Sequence, residues 1–464
     1  MVSDDAARVS ETLQLTSKSP DSMIRVEEMA VSKKNIFVLA MDDFNQAMLE
    51  RLRGSEEMVF RPVLDMKTAV DTTEYDMAEL LDRARQTLKN FPGTVDAIVG
   101  YWDFPTASML PVLRREWNLR GPSLEATLRC EHKYWARVEE RRVAPRQTPS
   151  FAGVNPFDES VLDKPPLPYP FWIKPVRAHS SQLGFHVDNR QDFEHAIRQT
   201  RDRIHVFAEP FNHILAMAEI PDDIAPVDGW HCIAEEIVSA GVQCTLEGYV
   251  LNGEVTIYGV VDSLREGAVG SSFSRYQYPS GMPASIQDIM FEDCQRFMEQ
   301  TGFDNSPFNI EFFYNEEDGS VWMLEVNTRC SKSHSPLFEM VDGSSNLQAM
   351  VDVALGREPN FPPEGGKYQY AAKIMLREHQ DGVVERVPDA DEVRAIENDM
   401  PGCQIQVEAE QGSRLSDMLH QDSYSFEYAV LFVGGDSVED IDQKADQIKA
   451  RLDFRFRHGH QEDG

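Results

Sequence analysis

The sequence predicts a multidomain α/β protein, with a parallel sheet near the N-terminus, a β-rich middle and a smaller C-terminal α+β cap. The length of 464 residues is too great for one ordinary domain. Short apolar strands alternate with amphipathic helices in the first quarter of the chain, which is typical of a parallel sheet. Hydrophobic residues make up 41% and charged residues 27% of the chain, which are the proportions of a compact globular protein.

The N-terminal part divides into a tail and a domain. Residues 1–32 mix Ser, Asp, Glu and Thr without a sustained apolar period, so we expect a loosely docked tail. Residues 33–125 are predicted to form the parallel α/β domain, because continuous apolar runs alternate there with helical periods. These strands and helices are expected at 35–40, 44–53, 58–64, 77–88 and 95–100.

The rest of the chain divides into a central domain, residues 126–360, and a C-terminal cap, residues 361–464. Seven prolines between Ala144 and Pro170 indicate an exposed connection rather than a helix. The pattern from 171 to 356 is rich in predicted strands and closes with a helix. Strands are expected at 244–250, 255–261, 308–314, 321–326, 368–376, 404–408 and 426–433, and helices at 347–355 and 438–452.

Charge and composition exclude several classes of partner. The chain has 45 Lys and Arg against 78 Asp and Glu, a formal charge of -33 that disfavours nucleic acid and anionic membranes. Six scattered cysteines form no CxxC pair, which argues against a zinc site or a disulfide framework and fits a reducing compartment. The polar N-terminus has no signal pattern, and no membrane-spanning run occurs, so we expect a cytoplasmic protein.

A lysine stands within the apolar strand expected at Phe171. Lys174 must direct its ammonium group at an anion, because burial without a partner is unfavourable. The small polar turn at 178–184 exposes backbone amides that can cradle a phosphate. The segment therefore predicts a phosphate contact, although a lysine reaching solvent from a strand edge fits the isolated segment equally well.

A second segment can hold a nucleoside. A strand that leads into a glycine turn offers a backbone edge and an apolar wall to adenine, and Glu235, Glu236 and Ile237 occupy such a strand. Gln243 follows and can bind sugar hydroxyls. Taken alone, the same stretch fits a surface strand with solvated glutamates better.

The strongest signal is a pair of carboxylates in neighbouring apolar strands. Glu311 and Glu325 would face each other across an acidic hairpin, where cations are needed to keep both ionised. Glu325, Asn327 and Arg329 alternate by two, so they project from one face of the strand. The carboxylate and amide oxygens predict a magnesium site, and the arginine can stabilise phosphoryl charge. A structural ion-pair network is the alternative.

These three segments, in this order, resemble the ATP-grasp superfamily over about residues 125–360. The resemblance implies ATP and two Mg²⁺ ions, with Mn²⁺ as a substitute, and a pre-ATP-grasp domain at the N-terminus. It implies that Lys133 joins Lys174 at the nucleotide and that Ser180 and Ser181 lie in the phosphate-covering loop, which has fewer glycines than is usual in the family. The motif Glu-x-Asn-x-Arg at 325–329 implies metal binding by Glu325 and Asn327, with Arg329 at the reacting groups, and Glu311 matches the family's other metal ligand.

The layout is similar to L-amino acid ligases and carnosine-synthase-like enzymes. It implies that a carboxylate is activated as an acyl phosphate and joined to an amine, with an amino acid among the small-molecule substrates. Arg275, in the expected substrate loop 274–280, either holds a carboxylate or is solvated. His334 either contacts substrate, as a base, or is a hydrogen-bonded loop histidine, and Lys332 is equally open.

Two other functions remain open at this point. A carboxylase resembling biotin carboxylase would activate bicarbonate with similar flanking domains. A synapsin-like module would bind ATP without turnover, although the full set of Glu311, Glu325, Asn327 and Arg329 favours an enzyme. A homodimer is an expectation from the family alone.

Overall fold

The computed structural model of the protein describes residues 33–72, 74–178, 182–238, 241–266, 272–419, 421 and 425–458. The tail expected at 1–32 and the loop residues Ser180 and Ser181 lie outside these ranges. No helix in the described ranges is long and apolar enough to cross a membrane. All six cysteines are buried free thiols.

The N-terminal sheet has the predicted parallel strands, which confirms this part of the fold class. Strand β1 is central, and β2 and β3 pair with it on either side. Asp42, Asp65 and Asp76 accept backbone hydrogen bonds at the starts of the first three helices, which satisfies donors that a helix leaves free. The elements are β1 (Lys34–Val38), α1 (Asp43–Leu49), β2 (Met58–Pro62), α2 (Met66–Ala69), α3 (Met77–Asn90), β3 (Ala97–Val99) and α4 (Thr106–Glu116).

Two helices and a four-stranded antiparallel sheet follow. The sheet order is β4-β7-β5-β6, which places the predicted phosphate strand beside the predicted adenine strand. The elements are α5 (Leu124–Glu131), α6 (Lys133–Val143), β4 (Phe151–Val154), β5 (Phe171–Pro175), β6 (Phe185–Val187), α7 (Arg190–Arg203), α8 (His205–Leu215) and β7 (Cys232–Glu236).

Strand β4 corrects the prediction for the proline-rich connection. The connection contains this strand and a short 3-10 helix, Val161–Asp163. Phe151–Val154 is free of proline between Pro149 and Pro156, and β4 pairs only at the edge of its sheet. An edge position makes few demands on the flanking prolines, so a proline-rich stretch can still supply a strand.

The large sheet has eight antiparallel strands in the order β12-β11-β8-β9-β10-β13-β16-β15. The strands expected in the C-terminal segment therefore extend the central sheet through the pairing of β10 with β13. The elements are β8 (Val242–Leu251), β9 (Glu254–Glu266), β10 (Ser272–Tyr278), α9 (Ala284–Thr301), β11 (Ser306–Tyr314), β12 (Val321–Asn327), α10 (Ser335–Asp342), α11 (Leu347–Ala354), β13 (Tyr370–Glu378), β14 (Gly382–Arg386), α12 (Ala390–Asp399), β15 (Cys403–Val407), β16 (Phe426–Gly435), α13 (Val438–Arg451) and β17 (Arg455–His458).

Helices α7, α8 and α9 are absent from the prediction for the β-rich middle. In α7 the buried residues Phe193, Ala196, Ile197 and Thr200 recur at spacings of three and four, which is the helical period. Because this apolar stripe is narrow, helix α7 as a whole is much less apolar than the neighbouring strands. Helix α8 contains Pro210, a residue that usually argues against a helix interior.

His132 joins α5 to α6 in its neutral form. Its Nε2 lies 2.7 Å from the Val227 carbonyl oxygen, which can only accept, so Nε2 carries the proton. Its Nδ1 accepts from the Trp135 backbone N–H at 3.3 Å and caps α6. Burial lowers the pKa of His132 to about 4.

Acid should therefore destabilise the protein through His132. A histidine pKa that is lower in the folded chain makes the unfolded state bind more protons, so this contribution is lost as pH falls from about 6.5 to about 4. The loss is up to about 3 kcal/mol in the free energy of unfolding. Urea unfolding at pH 7 and pH 5 should show a smaller pH effect in His132→Asn, which keeps a capping oxygen. His379→Asn, at an exposed histidine, is the control. If His132→Asn and the wild type lose the same unfolding free energy between pH 7 and pH 5, the role of His132 is contradicted.

Candidate active site

A cavity of about 1820 Å³ lies between the four-stranded sheet, the large sheet and the loop after β3. Its wall includes the predicted residues Lys133, Lys174, Glu235, Glu236, Ile237, Gln243, Glu311, Glu325, Asn327, Arg329 and His334. Ordinary pockets for one small molecule measure about 300–1,000 Å³. The cavity therefore has room for more than one ligand.

Glu311 and Glu325 lie directly opposite each other on β11 and β12. Residues opposite each other in an antiparallel pair share one face of the sheet, so both carboxylates enter the cavity. Burial, followed by the charge of Glu325, raises the pKa of Glu311. Burial also opposes the ionisation of Glu325, but Lys133 and Lys174 outweigh it and lower its pKa. The Lys133 Nζ lies 2.8 Å from a Glu325 oxygen.

Asn327 is oriented by its neighbour on β11. Its Nδ2 donates to the Asn309 Oδ1 at 2.9 Å, and the Asn309 Nδ2 donates to the Arg329 carbonyl oxygen at 2.9 Å. Since the amide nitrogen of Asn327 is engaged, its Oδ1 is the atom left for a cation. Strands β11 and β12 together thus present two carboxylates and one amide oxygen to the same cavity.

Asp103, which was not predicted, holds two arginines at the cavity. Its carboxylate lies 3.0 Å from the Arg329 Nη2 and 2.7 Å from the Arg177 Nη2. Burial opposes the charge of Arg329, but Asp103 outweighs it and raises the pKa of the guanidinium. The buried Nε of Arg329 has no hydrogen-bond partner among the described residues. Asp103 follows the carboxyl end of a buried parallel strand, which is where α/β sheets place ligand-binding residues.

Glu235 is the centre of a buried ion-pair network. Its carboxylate lies 2.8 Å from the Lys174 Nζ and 2.6 Å from the Arg137 Nε. Burial opposes ionisation, but Arg137 and Lys174 outweigh it and lower the pKa of Glu235 to about 2. The Arg137 guanidinium also donates to the carbonyl oxygens of Met323 and Leu324 on β12, at 2.9 and 2.7 Å. Arg137 thus ties the four-stranded sheet to the strand that carries Glu325.

The other residues of the predicted adenine segment are placed differently. Glu236 is exposed, and its carboxylate accepts from the Ser150 backbone N–H at 3.2 Å. Ile237 lines the cavity. Gln243 donates to Glu311 at 2.9 Å and accepts from Arg265 at 2.9 Å, so both ends of its amide are engaged. Its predicted contact with a sugar stays a prediction.

His334 is buried and held by a buried carboxylate. Its Nδ1 lies 2.9 Å from a Glu247 oxygen, and the same carboxylate accepts from the Ser331 backbone N–H and from the Tyr258 hydroxyl. A carboxylate at Nδ1 favours the tautomer with the proton on that nitrogen. The Nε2 of His334 is then the ring atom able to accept a proton.

Arg275 lies apart from these residues. The stretch expected to be a substrate loop is mostly β10, which pairs with β9 and β13. The guanidinium of Arg275 lies 2.5 Å from Asp442 on α13, and the residue is not part of the cavity wall as described. Pairing on both sides explains the difference, because a strand between two others cannot form a mobile loop.

Comparisons with known proteins agree with this geometry. Residues 167–335 match a family described as the ATP-grasp domain. The C-terminal section of the carbamoyl phosphate synthase large chain from Methanopyrus kandleri is 26% identical over 140 residues, which is 30% of this chain and 26% of that protein. The chain therefore spans about a quarter of the length of this curated relative.

Solved structures share the fold over nearly the whole chain. An L-amino acid ligase from Bacillus licheniformis has a TM-score of 0.69 at 17% identity and covers 92% of this chain and 99% of its own. A biotin carboxylase from Campylobacter jejuni has a TM-score of 0.59 at 14% identity and covers 92% and 93%. These identities show a shared fold. The chain therefore contains an ATP-grasp domain, set within the multidomain fold that these enzymes share.

Proposed function

We propose that the protein is an ATP- and magnesium-dependent ligase that activates a carboxylate as an acyl phosphate and condenses it with an amine. The observation that carries the proposal is that the opposed pair Glu311 and Glu325 lies in one cavity together with Lys133 and Arg329. The size of the cavity supports two substrates beside ATP. An amino acid is the expected amine, and a homodimer the expected assembly, which light scattering tests.

The proposed metal ligands Glu311, Glu325 and Asn327, called the metal set below, suit Mg²⁺. Within the described residues no group of three or more His, Cys, Asp or Glu side chains could hold a metal ion. The proposed set has two carboxylates and the Asn327 amide oxygen, and Mg²⁺ commonly takes few protein oxygens and completes its shell with phosphates and water. When bound, Mg²⁺ would neutralise charge on the phosphates of ATP.

The residues of the nucleotide end have separate tasks. Lys133 and Lys174 are proposed to contact the phosphates. The Lys133 ammonium group lies 2.8 Å from a Glu325 oxygen, and the Lys174 ammonium group lies 2.8 Å from a Glu235 oxygen. The strand through Glu235, Glu236 and Ile237 is proposed to bind adenine through its backbone. Glu235 itself keeps Lys174 in position, because its carboxylate is shared between that lysine and Arg137. The predicted phosphate contacts of Ser180 and Ser181 stay predictions.

In the first step, an oxygen of the substrate carboxylate attacks the γ-phosphorus of ATP, and ADP leaves. Arg329 is proposed to hold the reacting carboxylate, because its buried Nε is a donor that no described residue uses. Asp103 keeps the guanidinium charged and fixed. In the second step the amine nitrogen attacks the acyl carbon, the C–O bond to phosphate breaks, and the nitrogen loses a proton. His334 is proposed to accept that proton, with Glu247 orienting the ring.

Substrate-dependent release of ADP should identify the reaction. The protein is incubated with ATP, Mg²⁺ and a panel of amino acids and other carboxylic acids, singly and in pairs, and with bicarbonate. Release that needs a particular pair, and a product with a new C–N bond, are expected. Glu325→Gln keeps the shape of the side chain but removes a charge from the metal set, so activity should fall by about 10²-fold or more. Release that needs bicarbonate alone would favour a carboxylase instead, and ATP binding without turnover would favour a binding module.

Arg137→Met should weaken both stability and ATP binding. The substitution leaves Glu235 buried with one partner, and loss of one member of a buried pair costs about 3–5 kcal/mol. Arg190→Met, on α7, removes ion pairs with Glu194 and Asp163 that are solvent-exposed on both sides, and should cost less than about 1 kcal/mol. Urea unfolding and ATP titration measure the two effects. Equal values for the two variants would contradict the positioning role of Arg137.

His334→Asn should separate the two steps. If His334 accepts the proton of the amine, the variant still forms acyl phosphate but condenses it about 10²–10⁴-fold more slowly. Hydroxylamine traps acyl phosphate as a hydroxamate, so the trapped yield measures the first step without the amine. The exposed His379→Asn serves again as the surface control. Parallel loss of hydroxamate and product would show that His334 acts structurally.

A further inference from the structure

Two lysines lie in the cavity wall beyond Arg329. Lys332 begins a short 3-10 helix, Lys332–His334, and Lys373 lies on β13. The Lys332 Nζ is 3.9 Å from the centre of the Trp102 ring. The Lys373 Nζ is 3.3 Å from the Ser333 hydroxyl and 5.8 Å from the centre of the Tyr276 ring. Aromatic faces and one hydroxyl therefore hold these two ammonium groups.

Neither lysine has an ion-pair partner in the ranges that the structure describes. Lys133 and Lys174 differ in this respect, because each lies 2.8 Å from a glutamate oxygen. Burial, followed by the charge of Lys373, lowers the pKa of Lys332 to about 8, so the two ammonium groups disfavour each other. Two neighbouring ammonium groups with no carboxylate at ion-pair distance are unfavourable unless a ligand supplies the negative charge.

The charges that act on Lys332 differ from those that act on Glu325. The charged groups that act on Lys332 are Lys373, Asp42, Glu408 and Arg329. Those that act on Glu325 are Lys133, Lys174 and Asp103. Arg329 acts on both Glu311 and Lys332, so the metal ligands and the lysine pair adjoin the same guanidinium.

The neighbouring acids limit the charge of the ligand. Asp42 and Glu408 act on Lys332 at longer range than an ion pair. Asp42 is already engaged, because it accepts from the Tyr101 hydroxyl at 2.9 Å and caps α1. Two further carboxylates nearby would repel a doubly charged phosphate more than a singly charged group. A carboxylate is therefore the better match.

We propose that Lys332 and Lys373 form a subsite for a free substrate carboxylate, one that is not converted to acyl phosphate. The proposal rests on the ligase function proposed above and specifies the class of its substrate. This carboxylate has two sources: the α-carboxylate of an amino acid that acts as the amine, or a second carboxylate on the activated acid. From either source, the free carboxylate would lie beyond the reacting carboxylate that Arg329 holds.

The test compares each substrate with its neutral amide in wild-type protein and in Lys332→Met/Lys373→Met. KM is measured for the acid and for the matching carboxamide, first in the amine substrate and then at the second carboxylate of the activated acid. In the wild type, the amide of the recognised substrate should have a KM at least ~10-fold higher. In the double variant, acid and amide should have equal KM values, with the KM for ATP unchanged. The substrate whose amide-to-acid KM ratio differs between the wild type and the double variant is the source of the recognised carboxylate.

Controls separate this proposal from the ligase proposal. Lys89→Met removes an exposed lysine on α3, outside the cavity wall as described, and should keep the wild-type ratio. Calorimetric titration of protein loaded with ADP and Mg²⁺, using the amino acids and their amides, gives the same ratio without turnover. A ratio that is the same in wild type and double variant overturns the subsite and leaves the ligase intact. Absence of C–N product with a retained binding ratio overturns the ligase while supporting carboxylate recognition by the lysines.

Discussion

The opposed carboxylates of Glu311 and Glu325 are the constraint on which the rest of the site depends. Two carboxylates on one face of a sheet repel each other, and limited solvent makes both charges more unfavourable. Lys133 relieves part of this repulsion at 2.8 Å from Glu325. The remaining negative charge of Glu311 is the feature that a divalent cation would compensate. A site that is incomplete without cations is suited to bind them together with a polyphosphate.

The compensating charges come from separate parts of the chain, and buried networks fix their positions. Arg137 links the Glu235 carboxylate to the backbone of β12, so the two sheets that bound the cavity share one guanidinium. Asp103, which follows β3 of the N-terminal parallel sheet, holds Arg329, which follows β12. These contacts explain why three elements distant in sequence meet at one cavity. They also make each arginine costly to remove, because its partner carboxylate would lose one of its two counter-charges.

Local patterns predicted the fold class well and the irregular parts poorly. The continuous apolar strands and the acidic hairpin around Glu311 and Glu325 are strong local signals, and the structure has strands at these positions. Helix α7 was missed because its apolar stripe is narrow, and β4 because flanking prolines suggested a connection. The stretch around Arg275 resembled a loop, but pairing with two neighbouring strands makes it part of the sheet. Pairing of this kind depends on residues far away in the chain.

The sequence by itself determined which residue types could perform the chemistry, because alternation along β12 is a local property that places Glu325 and Asn327 on one face. It also pointed to Lys174, since a lysine in an apolar strand needs an anion. Only the tertiary structure decided that Asp103 holds Arg329, that Glu235 pairs with Lys174 and Arg137, and that Lys332 and Lys373 line the same cavity. The physical reason is range: side-chain direction follows from neighbouring residues, whereas the partner of a charge depends on which distant strand or loop packs beside it.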